Sequence, residues 1–285
     1  MAALFARAGA AMLPGASRLP FVGGGGGDVP ELTLRLTDVE VDGGRLADYD
    51  KVCGFALRDV LPPTYPHMLA FPLQLSLMTD PSFPFRAIGL VHIANRIIQH
   101  RPIHRSERLE IGVSATPVED HPRGKQFSLR TEVRVDDQLV WEEVSTNLKR
   151  GGGSEAVKAP AGKLPRAEDL SATATWTLPG DLGRRYGSVS GDYNPIHVHP
   201  LSARLFGFPS AIAHGMWTKA RCLAALEPRL PDAFTVDVAF KKPILLPGKV
   251  EFCEADGPGP GFSVQFGVRD PRKGSSHLDG LVVAG

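Results

Sequence analysis

The chain has 285 residues, 42% of them hydrophobic, and its 32 basic and 31 acidic residues leave a net charge of +1. This length suits two small domains with sizeable cores, and the balanced charge predicts no general affinity for nucleic acid. Three cysteines without a CxxC pair argue against a disulfide framework or a zinc cluster, so a reducing, cytoplasmic setting is expected. No apolar run approaches the ~18 residues that cross a bilayer, so no stable membrane insertion is expected.

Residues 1–30 form a separate N-terminal extension. It is apolar from Met1 to Met12 and rich in glycine from Gly23 to Gly27. A clear positively charged region, with which a secretory signal begins, is missing. The sequence favours a short helix followed by a flexible linker, with a transit peptide as the alternative.

The rest of the chain contains one sequence unit that occurs twice. Tyr49 to Gly54 and Tyr186 to Gly191 share the pattern Tyr-x-x-Val-x-Gly. Each is followed by a predicted apolar helix, Pro66 to Met78 in the first half and His214 to Leu226 in the second. Alternating apolar residues then predict antiparallel strands, with Phe127, Leu129, Val133 and Val135 in the first half and Phe262, Val264, Phe266 and Val268 in the second.

A helix that is apolar on nearly all sides must be covered on most of them, and a curved sheet wrapped around it does this. We therefore expect an α+β protein with two antiparallel sheets, each wrapped round a central helix, joined edge to edge as a pseudo-dimer. The first unit is placed at 31–150 and the second at 171–285. A segment rich in glycine, proline, alanine and lysine joins them at 151–170.

The strongest chemical signal runs from Ser190 to His197 and reads Ser-Gly-Asp-Tyr-Asn-Pro-Ile-His, followed after sixteen residues by His214-Gly215-Met216. The Asn-Pro step disfavours helix at Asn194, which predicts an ordered turn rather than a helical face. Asp192 and His197 can then point into one pocket. There the carboxylate can hold a water as a base, and the imidazole can exchange a proton near neutral pH.

This motif resembles the signature of the MaoC-like acyl dehydratases, also called (R)-specific enoyl-CoA hydratases, which runs Gly-Asp-x-Asn-Pro-hydrophobic-His. Every fixed position is filled here. The likeness continues through 201–208, 213–216 and 242–248, and the layout is similar to that of the actinobacterial double-hotdog (R)-3-hydroxyacyl dehydratases. The resemblance implies a double hotdog fold, catalytic roles for Asp192 and His197, and a Gly215 amide that binds the thioester carbonyl oxygen.

The implied reaction is the reversible hydration of trans-2-enoyl thioesters to (R)-3-hydroxyacyl thioesters in fatty-acid metabolism, with coenzyme A or an acyl carrier protein as the carrier. A water activated at C3, a proton for C2 and a donor to the thioester oxygen suffice, so no metal or redox cofactor is required. A double hotdog can stand alone or form a homodimer.

Several residues near the motif are candidates for supporting roles. Asn194 is expected to hold the turn, and His214 to orient the oxyanion site or, equally, to serve as a cap or core histidine. The candidates for binding the carrier's phosphates are Lys241, Lys242 and Arg204, with Lys219 and Arg221 also close in sequence, although most are expected to be solvated surface charges. The candidates for an acyl-chain tunnel, chosen by spacing, are Phe71, Leu75 and Met78. Cys222 is expected to be a buried, inert thiol.

The first half lacks the acid/base pair. Aligning Gly54 with Gly191 places Phe55 where Asp192 lies and Val60 where His197 lies. Its loop is also shorter, since His67 follows Gly54 by thirteen residues whereas His214 follows Gly191 by twenty-three. We therefore expect the first half to house a long or bulky acyl chain.

Other interpretations of the motif remain open, including structural roles for its residues. Asp192 could cap a turn, and His197 could be a buried, hydrogen-bonded histidine. A hotdog thioesterase would release free thiol from acyl-CoA, although the Asn-Pro-x-His pairing argues against it. A non-catalytic acyl-binding subunit would be expected to have lost Asp192 or His197, and both are present.

Overall fold

The structure, a computed structural model, describes residues 29–87, 89–153, 164–258 and 261–285. The predicted N-terminal helix, the Gly23–Gly27 linker and residues 154–163 of the predicted 151–170 segment lie outside these residues. No helix of the described part is long and apolar enough to cross a membrane.

The described part of the first half contains two helices and six strands. They follow the chain as β1 (Leu34–Val39), α1 (Gly43–Cys53), α2 (Tyr65–Met78), β2 (Leu90–Gln99), β3 (Leu109–Ala115), β4 (Glu119–His121), β5 (Gly124–Val135) and β6 (Gln138–Arg150).

The second half repeats this order with two extra short helices. After a 3-10 turn (Ala167–Asp169) come β7 (Ala172–Leu178), α3 (Leu182–Ser190), α4 (Pro195–Val198), α5 (Pro200–Leu205), α6 (Gly215–Leu226), a second 3-10 turn (Glu227–Arg229), β8 (Phe234–Phe240), β9 (Gly248–Asp256), β10 (Ser263–Arg269) and β11 (Ser276–Ala284).

All described strands join one antiparallel sheet with the order β1-β3-β5-β6-β2-β8-β11-β10-β9-β7, and β4 pairs with β5. The strand order is symmetric about its centre, because each first-half strand except β4 has a second-half counterpart at the mirrored position. The two halves meet where β2 pairs with β8, from Ala94 opposite Ala239 to Gln99 opposite Phe234. This seam covers two strand edges that would otherwise be open and confirms the predicted pseudo-dimer.

The central helices α2 and α6 begin and end within one residue of the predicted bounds. Both are buried along most of their length, and their apolar side chains join one core with the inward faces of the strands. The repeated Tyr-x-x-Val-x-Gly pattern also has a common structural cause. Gly54 ends α1 and Gly191 ends α3 in the left-handed conformation, with φ of 85° and 78°, which favours glycine.

The halves differ between their first helix and their central helix. Residues 54–64 of the first half contain no helix, whereas the longer connection of the second half folds into α4 and α5. At the other end of the junction, Ala167 is fully buried and its N–H donates to Asp279 at 2.9 Å. The end of the predicted linker therefore packs against the second half.

Candidate active site

The Asn-Pro step starts a helix instead of preventing one. Asn194 is the N-cap of α4, and its side-chain oxygen accepts the N–H of Ile196 at 3.3 Å. Pro195 occupies the first helical position, where a missing N–H costs nothing. The prediction of a non-helical turn was therefore wrong at His197, which lies in this single helical turn, while the predicted role of Asn194 in holding the turn is observed.

Asp192 lies between α3 and α4, and its side chain is 27% exposed. One carboxylate oxygen, Oδ1, accepts the N–H of Asn194 at 3.0 Å, as in an Asx turn. The other, Oδ2, lies 3.7 Å from Nε2 of His214. Asp192 therefore caps the turn and also presents a carboxylate oxygen to the neighbouring imidazoles.

His197 is oriented by the backbone. Its Nδ1 lies 2.8 Å from the carbonyl oxygen of Ile212 and donates a hydrogen to it. This bond leaves Nε2 with a free lone pair in the neutral ring. Burial lowers the pKa of His197, while the charge of Asp192 and the bond to Ile212 act in the opposite direction. The ring is therefore held neutral near pH 7, as a proton acceptor requires.

His214 is a buried histidine that supports this pair. Its Nε2 donates to the backbone oxygen of Asp192 at 3.0 Å, and its ring stacks on His197 with centroids 3.7 Å apart. Nδ1 is buried and has no hydrogen-bond partner among the described residues. Burial and the nearby His197 lower the pKa of His214 to about 3, so the ring is neutral. Of the alternatives open from the sequence, the structure shows a core histidine that makes no side-chain cap.

Gly215 is the first residue of α6, where the helix supplies no partner for its N–H and the helix dipole is positive. The ring of Phe240 packs against it so closely that a Cβ at position 215 would lie 3.0 Å from the ring. A side chain at this position would need the Phe240 ring to move by a few tenths of an ångström, so the close approach favours glycine. Its amide lines the same cavity as Asp192 and His197.

That cavity has a volume of about 470 Å³ and is lined by both halves. The predicted tunnel residues Phe71, Leu75 and Met78 contribute one face of α2 to its wall. Lys241 and Lys242 also line it, and Nζ of Lys241 lies 3.6 Å from Asp279.

Three of the basic candidates lie elsewhere. Arg204 is exposed, does not line the cavity and donates to the carbonyl oxygen of Pro209 at 3.4 Å. Most of these basic residues were expected to be solvated surface charges, but Lys219 is fully buried, because its side chain extends from α6 to the β2–β8 seam. The Arg221 guanidinium lies 4.7 Å from the ring centroid of Trp176.

Sequence reasoning missed several polar residues that share the cavity. They come from helix α2 and from strands and loops far from the motif, and they include His67, Gln74, His92, Arg123, Ser145, Asn147, Arg150 and His277. In the sequence they stand out only as polar side chains among apolar neighbours. Strand pairing brings them together, and the sequence alone does not reveal that pairing. Cys222, in contrast, is buried as predicted, and burial raises the pKa of its thiol.

Asp192, His197 and His214 also form the type of cluster that can bind a metal, with one ligand atom of each lying within 4.8 Å of the others. Each imidazole, however, already uses one nitrogen on a backbone oxygen. The lone pair of His214 is on Nδ1, which is buried within the protein, so an ion in the cavity would meet only Asp192 and His197, fewer ligands than a protein metal site provides. The arrangement fits acid/base chemistry better than metal binding.

Comparison with known proteins supports the same chemistry. A family model described as a MaoC like domain matches residues 157–253. The chain is 39% identical to 3-hydroxyacyl-thioester dehydratase X of Mycobacterium tuberculosis, over 89% of this chain and 90% of that protein. It is also 26% identical to the peroxisomal enoyl-CoA hydratase 2 of Arabidopsis thaliana, over 58% and 57%.

Solved structures agree with the fold. The crystal structure of HtdX from Mycobacterium tuberculosis has a TM-score of 0.78 and 35% identity, covering 89% of this chain and all of that one. Another M. tuberculosis protein, described as having a double hotdog fold, has a TM-score of 0.55 at 13% identity, covering 89% and 96%, and supports the fold alone. The chain therefore belongs to the MaoC-like dehydratase family.

Proposed function

We propose that this protein catalyses the reversible hydration of trans-2-enoyl thioesters to (R)-3-hydroxyacyl thioesters in fatty-acid metabolism. The observation that carries the proposal is the meeting of three groups in one cavity: the Asp192 carboxylate, the free nitrogen of a neutral His197 and the N–H of Gly215. Each matches one requirement of the reaction.

Water is held between Oδ2 of Asp192 and Nε2 of His197. As its oxygen bonds to C3, one of these groups takes its proton and a proton is delivered to C2. Negative charge then develops on the thioester oxygen, which accepts a hydrogen bond from Gly215 at the positive end of α6. Dehydration uses the same groups in reverse.

The rest of the cavity is assigned to the acyl chain and its carrier. We place the chain against Phe71, Leu75 and Met78, so that residues 31–150 supply a pocket while 171–285 supply the chemistry. Lys241 and Lys242 lie where they can meet phosphate of coenzyme A or an acyl carrier protein. The position of Arg204 outside the cavity gives no support to its predicted role. The cytoplasmic setting and the homodimer stay predictions.

The test is the loss of enoyl absorbance with crotonyl-CoA and with a long-chain trans-2-enoyl-CoA, with chiral analysis of the product. Wild-type enzyme should form the (R)-3-hydroxyacyl product, and Asp192→Asn and His197→Ala should abolish its formation. Matched controls are Asp169→Asn and His104→Ala, which change an exposed carboxylate and an exposed imidazole. Free thiol release would instead indicate a thioesterase, and no turnover of either CoA ester would contradict the proposal for this carrier.

A further inference from the structure

One wall of the cavity is polar where a simple alkyl pocket would be apolar. Strand β6 presents Glu143, Ser145 and Asn147 on the same face, since side chains alternate along a strand. Ser145 and Asn147 line the cavity directly. The corresponding strand of the second half, β11, contributes Leu278 and Val282 to the core instead. The polar wall is thus a property of the first half.

Glu143 is the centre of this wall and is almost fully buried, at 2% exposure. It accepts hydrogen bonds from Nδ1 of His67 at 2.9 Å, from Asn95 at 2.7 Å and from Gln74 at 3.1 Å. Burial alone would raise the pKa of Glu143, but the charge and hydrogen bond of His67 and the bond from Asn95 hold it below its usual value. The carboxylate is therefore ionised and its acceptor sites are occupied by fixed donors.

A buried lysine completes the network from the other half. Nζ of Lys219, on α6, donates to Oδ1 of Asn95 at 2.5 Å, and the amide of Asn95 donates in turn to Glu143. The backbone oxygen of Val236 lies 3.3 Å from the same ammonium. Asn95 therefore links the buried Lys219 amine to the buried Glu143 carboxylate across the seam. Such a network fixes the orientation of each member, including His67.

His67 is the member of this network that lines the cavity and keeps one ring nitrogen, Nε2, without a hydrogen bond to the described residues. Because Nδ1 donates to Glu143, Nε2 is left over, and it has no hydrogen-bond partner among the described residues. His67, Phe71 and Leu75 succeed one another at helical spacing along α2 and all line the cavity. An alkyl chain lying on this stripe would strip water from Nε2 without replacing its hydrogen bond.

His67 lies in the first turn of α2, and ring contacts connect this end of the helix to the acid/base site. The centroid distances are 5.2 Å from Tyr65 to Tyr49, 6.2 Å from Tyr49 to Tyr186 and 4.8 Å from Tyr186 to His214. The apolar residues of α2 continue away from it. A polar group on the chain would therefore meet His67 before the chain enters its apolar section.

We propose that the first-half pocket selects acyl chains with a hydroxyl group on the carbons just beyond the reacting double bond, and that this hydroxyl hydrogen-bonds to Nε2 of His67. The inference rests on the proposed function, because the chain is that of an enoyl thioester. A hydroxyl both donates and accepts, so it satisfies Nε2 in the neutral and in the protonated imidazole. Ser145, bonded to His92 at 2.8 Å, offers a second polar contact in the same wall.

The test compares trans-2-octenoyl-CoA with its 5-hydroxy and 6-hydroxy derivatives, and expresses each kcat/KM relative to crotonyl-CoA measured on the same preparation. Normalising in this way cancels any loss of folded enzyme. Wild type should prefer one hydroxylated chain to the plain chain by roughly tenfold or more, since sites built for a hydroxyl discriminate against analogues that lack it. H67L should reduce the ratio to about one, and H67Q, which keeps a hydrogen-bonding group, should retain part of it.

H100L is the matched control, because His100 also pairs with a glutamate of β6, Glu142 at 2.7 Å, but does so on the exposed surface. It should leave the ratio at the wild-type value. If wild type turns over crotonyl-CoA and shows no preference among the eight-carbon chains, the inference fails while the proposed function stands. If H67L lowers crotonyl-CoA and all longer chains by one common factor, His67 acts on the carrier or the fold and the inference is overturned. Absence of turnover with every substrate would overturn the proposed function and this inference together.

Discussion

Gly215→Ala is the substitution that most directly tests the oxyanion assignment. The new methyl group would lie 3.0, 3.1 and 3.2 Å from three carbons of the Phe240 ring, closer than ordinary van der Waals contact. The ring or the start of α6 must move by a few tenths of an ångström. The methyl also projects beside the N–H that the thioester oxygen is proposed to approach. Helix formation itself is not opposed, since alanine is the best helix former.

The expected loss follows from the value of one oxyanion donor. Removing such a donor costs about 2.7–4 kcal/mol of transition-state stabilisation, or roughly 10²–10³ in kcat. A partly preserved bond would retain some of this, so we expect a fall in kcat of at least about tenfold, or ~1.4 kcal/mol. The melting temperature should change little in comparison.

The assay is the steady-state hydration of crotonyl-CoA, with thermal unfolding of the same samples. Gly44→Ala is the matched control, because Gly44 lies in helix α1 on the surface and far from the cavity in sequence. Combining Gly215→Ala with Phe240→Leu should recover part of the activity by relieving the contact. A kcat for Gly215→Ala within twofold of wild type would refute the assignment of this amide.

Three further outcomes are expected. The acid limb of the kcat/KM profile should lie below pH 6.5, because burial lowers the pKa of His197 and the ring stays neutral to lower pH than a free imidazole; an acid limb at or above pH 6.5 would contradict this. Burial lowers the pKa of Lys219 to about 7, so the unfolded chain binds more protons than the folded chain between about pH 7 and 10.5. The free energy of unfolding of wild type, relative to that of Lys219→Met, should therefore be higher at pH 9 than at pH 7 in urea unfolding. The same relative free energy at both pH values would argue against a buried, titrating lysine. Gly191→Ala should lower stability by about 1–2 kcal/mol, because φ of 78° is strained for a residue with a Cβ; an unchanged melting temperature would show that α3 can end differently.

The features predicted correctly from the sequence were those encoded locally or by repetition. The apolar segments ending at Met78 and Leu226 defined both central helices, because an element that is apolar all round needs a wrapping sheet whatever its partners are. The repeated Tyr-x-x-Val-x-Gly pattern revealed the duplication because a left-handed helix end favours glycine in both copies. At Asn194, by contrast, the rule that a residue before proline avoids the helical conformation was correct. It did not extend to the residues after Asn194, because Pro195 begins helix α4.

What could not be predicted depends on partners distant in the chain. Glu143 and His67 are 76 residues apart, and Lys219 and Asn95 are 124 apart. Their meeting depends on the register of β6 against β2 and of β2 against β8. From the sequence, Lys219 was simply a lysine near the motif. The structure shows it in the core, where a lysine is tolerated only with fixed acceptors such as Asn95 and Val236.

The asymmetry between the halves has a further cause at the starts of their central helices. In the second half, α6 begins with Gly215, which lines the cavity and whose N–H has no partner within the helix. In the first half, α2 begins with Tyr65, whose N–H donates to Pro62 at 2.8 Å, and continues with Pro66, which has no N–H. Restoring a carboxylate at Phe55 and an imidazole at Val60 would therefore still leave this half without an oxyanion donor. The first half thus differs from the second at two independent points, the acid/base positions and the start of the central helix. Both differences accord with our proposal that one set of reacting groups serves the cavity and that its other wall recognises the chain.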